Sequence, residues 1–173
     1  NPHGLSAEGH ISTARDLALM GRAMARDYPE AYAYNKMKEF TVNGITQHNR
    51  NGLLWKDPSV DGIKTGHTSG AGYCLLASAQ RDKQRLVSIV MGIDSKSQAE
   101  GFRFREMGNL NLLNWGFRFF ESHTLYAAGA KIAEPKVWKG QEELVSLGLS
   151  APMQIIVPRG RYNDLKPSMD LPK

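Results

Sequence analysis

A single cysteine, Cys74, stands among 173 residues, so the chain cannot close a disulfide on itself. The apolar run around it, Tyr73-Cys74-Leu75-Leu76-Ala77, predicts a strand that buries an inert thiol. No apolar stretch approaches the roughly 20 residues that a membrane-spanning helix requires. Aromatic residues make up only 9% and do not alternate with basic side chains into a stacking platform. Lysine and arginine number 22 against 17 acids, a formal charge of +5, yet the cations gather on no helix face. A solvated basic surface follows, and nucleic acid is not expected as a partner. His3, His10, His48 and His123 have no cysteine or carboxylate at ligand spacing, which argues against a metal. Gly70-Ala71-Gly72 precedes a strand instead of opening a helix, which argues against a phosphate-binding loop. No cofactor is implied.

Two further absences bear on chemistry. No serine is followed by lysine three positions later, and none stands two positions before an asparagine, so no serine has a base at motif spacing. The chain also opens at Asn1 without an initiator methionine or a charged-then-apolar leader, so upstream sequence is expected to lie outside it.

What is present reads as mixed helix and strand. Thr13, with Asp16 three positions on, predicts a helix start, and Leu17, Met20 and Met24 share the face expected to pack on a core. Pro29 suits the first turn of a short second helix. Asn43-Gly44 between Phe40-Thr41-Val42 and Ile45-Thr46-Gln47 is a strong hairpin signal. A strand is predicted from about Ile63 to Ala79 and a second over Arg85–Gly92, pairing as an antiparallel hairpin; their nearly continuous apolar character predicts a sheet covered on both faces. Leu110, Leu113, Phe117 and Phe120 fall at helical spacing, predicting a long helix within 98–120. From about Ser122 the rhythm changes to short alternating runs, 131–139, 144–149 and 153–157, separated by Gly and Pro, as in a small all-β domain. Too few strands remain to close a sandwich, so that domain is expected to be truncated.

The chemistry concentrates in Val60-Asp61-Gly62-Ile63-Lys64-Thr65-Gly66-His67-Thr68-Ser69-Gly70-Ala71-Gly72. A lysine at a strand mouth offers a compact cation, the next threonine a hydroxyl, and the glycine a close backbone approach. Together they suit a peptide laid along the strand edge with its terminal carboxylate held by charge. Lys-Thr-Gly alone is common, and a surface lysine before a turn is its ordinary reading.

The neighbouring residues are more specific. With Trp55, His3-Gly4-Leu5, Asn43-Gly44-Ile45-Thr46-Gln47, Asn49-Arg50-Asn51-Gly52-Leu53-Leu54-Trp55 and Leu112-Leu113-Asn114-Trp115-Gly116, the segment closely resembles the D-alanyl-D-alanine carboxypeptidases, the low-molecular-mass penicillin-binding proteins. The resemblance covers most of the first 120 residues and, more loosely, the β-rich tail. It implies an α/β fold: residues 1–121 as the C-terminal part of a penicillin-recognising, transpeptidase-like domain of antiparallel sheet and packed helices, and residues 122–173 as the start of a β-sandwich-like domain. It implies a serine enzyme that removes the terminal D-alanine from peptidoglycan stem peptides and is acylated by β-lactams. The serine, its general-base lysine and the Ser-x-Asn motif would lie upstream of Asn1, leaving the isolated segment inactive.

By the same resemblance Lys64 and Thr65 match the anion-binding pair, with Gly66 beside them, and the backbone N–H of His67 matches an oxyanion donor. An arginine on the following helix is expected to clamp the substrate carboxylate. Counting back from Leu112-Leu113-Asn114-Trp115-Gly116 selects Arg105, but extra residues within 96–104 leave Arg103 as a competitor. The family further implies a periplasmic location and inner-membrane attachment through a C-terminal anchor beyond the chain. A β-lactamase of the same superfamily and a non-catalytic wall-binding module are the alternatives.

Overall fold

The computed structural model describes residues 1 and 3–170 and divides into two compact units, Asn1–Phe117 and Arg118–Lys173. In the first, helix α1 (Ala14–Asp27) begins where expected. Thr13 is extended, and its hydroxyl accepts the N–H of Asp16 at 3.1 Å, satisfying one donor that a helix start leaves over. The face that packs differs from the expected one. Met20 and Met24 stay exposed, while Gly21 is buried so closely that a Cβ there would meet Ile63 Cδ1 at 2.8 Å. The missing side chain lets the helix backbone close on the sheet, and Leu17, of the expected face, is half-buried.

Helix α2 (Pro29–Tyr32) buries Tyr32 and runs into a single 3-10 turn. Strands β1 (Glu39–Val42) and β2 (Ile45–His48) then form an antiparallel hairpin. Its two turn residues, Asn43 and Gly44, have φ of 49° and 75°, the left-handed pair that matches the twist of the flanking strands. A short helix, α3 (Leu53–Lys56), follows.

The central sheet has three strands, not the two expected: β3 (Val60–Thr68), β4 (Gly72–Arg81) and β5 (Gln84–Ile93), in the order β3-β4-β5 and antiparallel throughout. The predicted strand over 63–79 is broken by a turn. Thr68 Oγ1 accepts the N–H of Ala71 at 3.1 Å, and Gly72 takes φ 64° with its backbone pressed against Ile93 O. A side chain that captures a backbone donor, followed by a left-handed glycine, reverses the chain.

Both faces of β4 are covered, as its sequence implies. Leu75, Ala77 and Ala79 pack with Leu53, Leu54, Leu113 and Phe117, while Leu76 packs with Ile63 and Tyr32. Alternation along a strand sends these two sets to opposite sides. Helix α4 (Gln98–Phe119) covers the first side, and α1 contacts β4 and β5. Cys74 lies in β4 as expected but is half-buried, with Sγ 3.4 Å from Ala71 O, because it sits beside the turn at the sheet's end.

The second unit contains β6 (Phe120–Tyr126), β7 (Lys131–Ala133), β8 (Leu147–Gly148) and β9 (Met153–Pro158), with β6 paired to β9 and β7 to β8. Strand β6 was not anticipated; its Glu121-Ser122-His123 segment carries no apolar alternation. It is fixed instead by pairing with β9 and by Glu121, whose carboxylate accepts the N–H of Gly160 at 3.0 Å.

Candidate active site

Strand β3 pairs only with β4 among the described strands, so its outer edge presents backbone donors and acceptors with no strand against them. An extended peptide can add to such an edge. Lys64, Gly66 and His67 are exposed along it and Thr65 is half-buried. Lys64 Nζ donates to Thr65 O at 2.6 Å, so the ammonium is folded against its own strand.

The two candidate arginines are separated clearly. Arg103 is exposed, its guanidinium 4.9 Å from the Phe104 ring. Arg105 is only 1% exposed, and its guanidinium lies behind the motif: NH1 donates to Gly66 O at 3.4 Å and Cys74 O at 3.3 Å, and NH2 donates to Arg50 O at 3.1 Å. Nε has no hydrogen-bond partner among the described residues. Burial pushes the guanidinium below the usual arginine range, with neighbouring Glu106 opposing. It makes no ion pair among the described residues, so a desolvated positive charge stands directly behind the Lys-Thr-Gly strand.

Several residues whose polar atoms fix this geometry were not singled out from sequence. Asn51, 1% exposed, donates through Nδ2 to Gly62 O at 3.0 Å and accepts the N–H of Leu53. Asn109, fully buried on α4 one turn beyond Arg105, donates to Leu75 O at 3.0 Å and Arg105 O at 2.8 Å and accepts from Ser88 Oγ. These bonds lock the helix to β4 and β5. Glu106 lies over Gly52 and pairs with Lys56 Nζ at 2.6 Å. Before the motif, Asp61 accepts from Tyr32 Oη at 2.9 Å and pairs with Arg85 at 2.7 Å. Burial pushes the Tyr32 phenol up to about 12, against the pull of Ser78. In the sequence Asn51 and Asp61 fall inside the segments that carry the family resemblance, but a polar run such as Asn49-Arg50-Asn51-Gly52 reads locally as an ordinary surface loop, so their burial had no local signal.

The imidazole of His67 stacks on the Tyr73 ring at 3.9 Å and 20°. Its strand partner is Tyr73 itself. That stacking turns the side chain onto the sheet and leaves the strand backbone, not the ring, at the open edge.

A strand edge with a lysine, a hydroxyl and a glycine, backed by a helix, resembles the frame of the penicillin-recognising serine enzymes. Residues 1–95 match the family described as D-alanyl-D-alanine carboxypeptidase, and residues 120–173 match the C-terminal domain of penicillin-binding protein 5. The chain belongs to the D-alanyl-D-alanine carboxypeptidase family. It is 50% identical over 167 residues to D-alanyl-D-alanine carboxypeptidase DacA of Escherichia coli K12, covering 96% of this chain and 40% of that protein. The solved penicillin binding protein 5 from Haemophilus influenzae superposes with a TM-score of 0.82 at 43% identity, covering 95% of this chain and 47% of that one. Penicillin binding protein 6B from Escherichia coli does so with a TM-score of 0.70 at 39% identity, over 95% and 45%. The fold is therefore the transpeptidase-like one followed by a β domain. The chain spans about two fifths of the length of the curated relatives it matches.

Proposed function

We propose that this chain forms the carboxylate-binding side of a serine D-alanyl-D-alanine carboxypeptidase active site, acting on peptidoglycan stem peptides and acylated by β-lactams. The observation that carries the reading is the free edge of β3 bearing Lys64-Thr65-Gly66-His67, with the buried cation of Arg105 behind it. Substrate enters as an extended strand along that edge. Lys64 and Thr65 hold its terminal carboxylate, Gly66 leaves room for its backbone, and Arg105 adds a second positive charge to the clamp through a medium from which water is excluded. The N–H of His67 donates to the oxygen that gains charge in the tetrahedral intermediate. The attacking serine and its base come from sequence outside these residues. The whole protein works in the periplasm, attached to the inner membrane by a segment outside the chain.

The test is acylation of the full-length protein by a fluorescent penicillin and turnover of a D-Ala-D-Ala peptide. Lys64→Ala removes one charge-assisted contact and lowers both rates roughly 30- to 100-fold. Because Lys64 is exposed, the thermal midpoint stays nearly unchanged. Wild-type rates in that variant refute the assignment of Lys64. Rapid clearance of the penicilloyl adduct would make the protein a β-lactamase, and the absence of any serine adduct would make it a binding module.

A further inference from the structure

The mechanism above uses the backbone of His67 and leaves its imidazole idle, yet the imidazole is the first member of a continuous stack. It lies on Tyr73 at 3.9 Å; Tyr73 meets Phe102 edge-on at 5.7 Å and 83°; and the Arg105 guanidinium lies 4.3 Å from the Phe102 ring. The stack joins β3, β4 and α4. Its central ring is buried, with Tyr73 only 7% exposed. It rests on Gly101 of α4, where a Cβ would fall 2.3 Å from the ring. Both ends of the stack therefore terminate on residues of the proposed site, His67 at the exposed end of β3 and Arg105 behind it.

We propose that Tyr73 is a positioning residue for catalysis: standing on Gly101, it holds the His67 ring by stacking and thereby fixes the backbone N–H of His67 at the edge of β3. The physical reason lies in the strand itself. Residues 66–68 are the last of β3 before the turn at 69–71, the end of a strand frays first, and an oxyanion donor must stay within a few tenths of an ångström of its place to act. An aromatic pair supplies a stabilisation equivalent to roughly a threefold to tenfold population shift. This inference rests on the proposed role of the His67 N–H.

The experiment compares Tyr73→Phe, Tyr73→Leu and, as a control for simple loss of stability, Leu113→Ala, all in the full-length protein. Leu113 is 1% exposed and packs in the cluster that includes Phe117, so its truncation destabilises without touching the stack. The rates are read at a temperature at which every variant is folded. The expected result is penicillin acylation roughly tenfold slower in Tyr73→Leu, within twofold of wild type in Tyr73→Phe, and unchanged in Leu113→Ala. NMR supplies the second readout. The His67 ring protons carry the upfield ring-current shift of a stacked imidazole in the wild type and Tyr73→Phe, and lose it in Tyr73→Leu. Equal acylation by the Phe and Leu variants overturns the proposal, as does a slowing in Leu113→Ala as large as in Tyr73→Leu. A wild-type protein that is never acylated refutes the proposed function instead, and the NMR comparison still decides whether Tyr73 holds His67.

Discussion

Asp57→Asn isolates a buried charge that ties the approach to β3 into the core. The Asp57 carboxylate accepts the N–H of Ser59 at 2.8 Å, the Ser59 hydroxyl at 2.6 Å and Arg81 NH2 at 2.8 Å, and its side chain is 12% exposed. Asparagine has the same shape and keeps one oxygen for Ser59. Those two bonds then fall from charge-assisted to neutral, a loss of about 1 kcal/mol each, and the Arg81 contact, worth about 1.5–3 kcal/mol, is lost. Arg81 retains Asn114 Oδ1 at 2.7 Å, Ser59 Oγ at 3.2 Å and the Phe117 ring at 4.4 Å, and it is partly exposed, so the last contribution is discounted. The sum is about 2–3 kcal/mol at neutral pH. Burial raises the Asp57 pKa, but the Ser59 hydroxyl, the Ser59 N–H and Arg81 together outweigh it and hold the carboxyl below its ordinary value. A carboxyl whose pKa is depressed in the folded state contributes stability that is present above the unfolded pKa, about 3.9, and is lost as the pH falls through the folded value. Urea unfolding of the wild-type and Asp57→Asn chains, followed by tryptophan fluorescence from pH 7 down to pH 2, should show a gap of about 2–3 kcal/mol that narrows below about pH 4. A gap that is the same at pH 7 and pH 2, or below about 1 kcal/mol at pH 7, would show that the charge of Asp57 is not what stabilises this corner.

Two further predictions concern local anchors. Lys56→Met leaves the Glu106 carboxylate, which is 8% exposed in its side chain, without its partner; with Lys56 itself half exposed, the loss should be about 1–3 kcal/mol in urea unfolding. Adding Glu106→Gln should restore most of it, and a double variant as unstable as the single one would refute the pairing argument. Thr13→Ala removes the hydroxyl that caps α1 and should cost about 1 kcal/mol; an unchanged thermal midpoint would mean that contacts of α1 with the sheet alone fix its start.

Local chemistry was written plainly in the sequence. Asn43-Gly44 dictated a two-residue turn because only such residues accept two left-handed conformations in succession at little cost. Thr13 marked a helix start because its side chain reaches a nearby donor, and the long helix ending in Phe119 was visible in the spacing of its apolar residues. Lys64-Thr65-Gly66-His67 was recognisable as a candidate site because its members are contiguous, so one strand carries them all.

Tertiary structure decided what depended on residues distant in sequence. That α1 packs through Gly21 follows from how closely Ile63 and Leu76 approach it, which no hydrophobic pattern encodes. The break at residues 69–71 coincides with Ser69-Gly70-Ala71-Gly72, a turn-prone run that the single predicted strand passed over, and where the chain reverses is set by a side-chain bond and by the clash that any Cβ at Gly72 would make with β5. Arg103 and Arg105 are two residues apart on one helix and chemically identical in sequence. Helical geometry turns such a pair about 200° apart, so the register that Asn109 fixes sends one to solvent and the other beneath Gly66. A short-range pattern specifies which backbone forms; only the packing of that backbone specifies which side chain faces which.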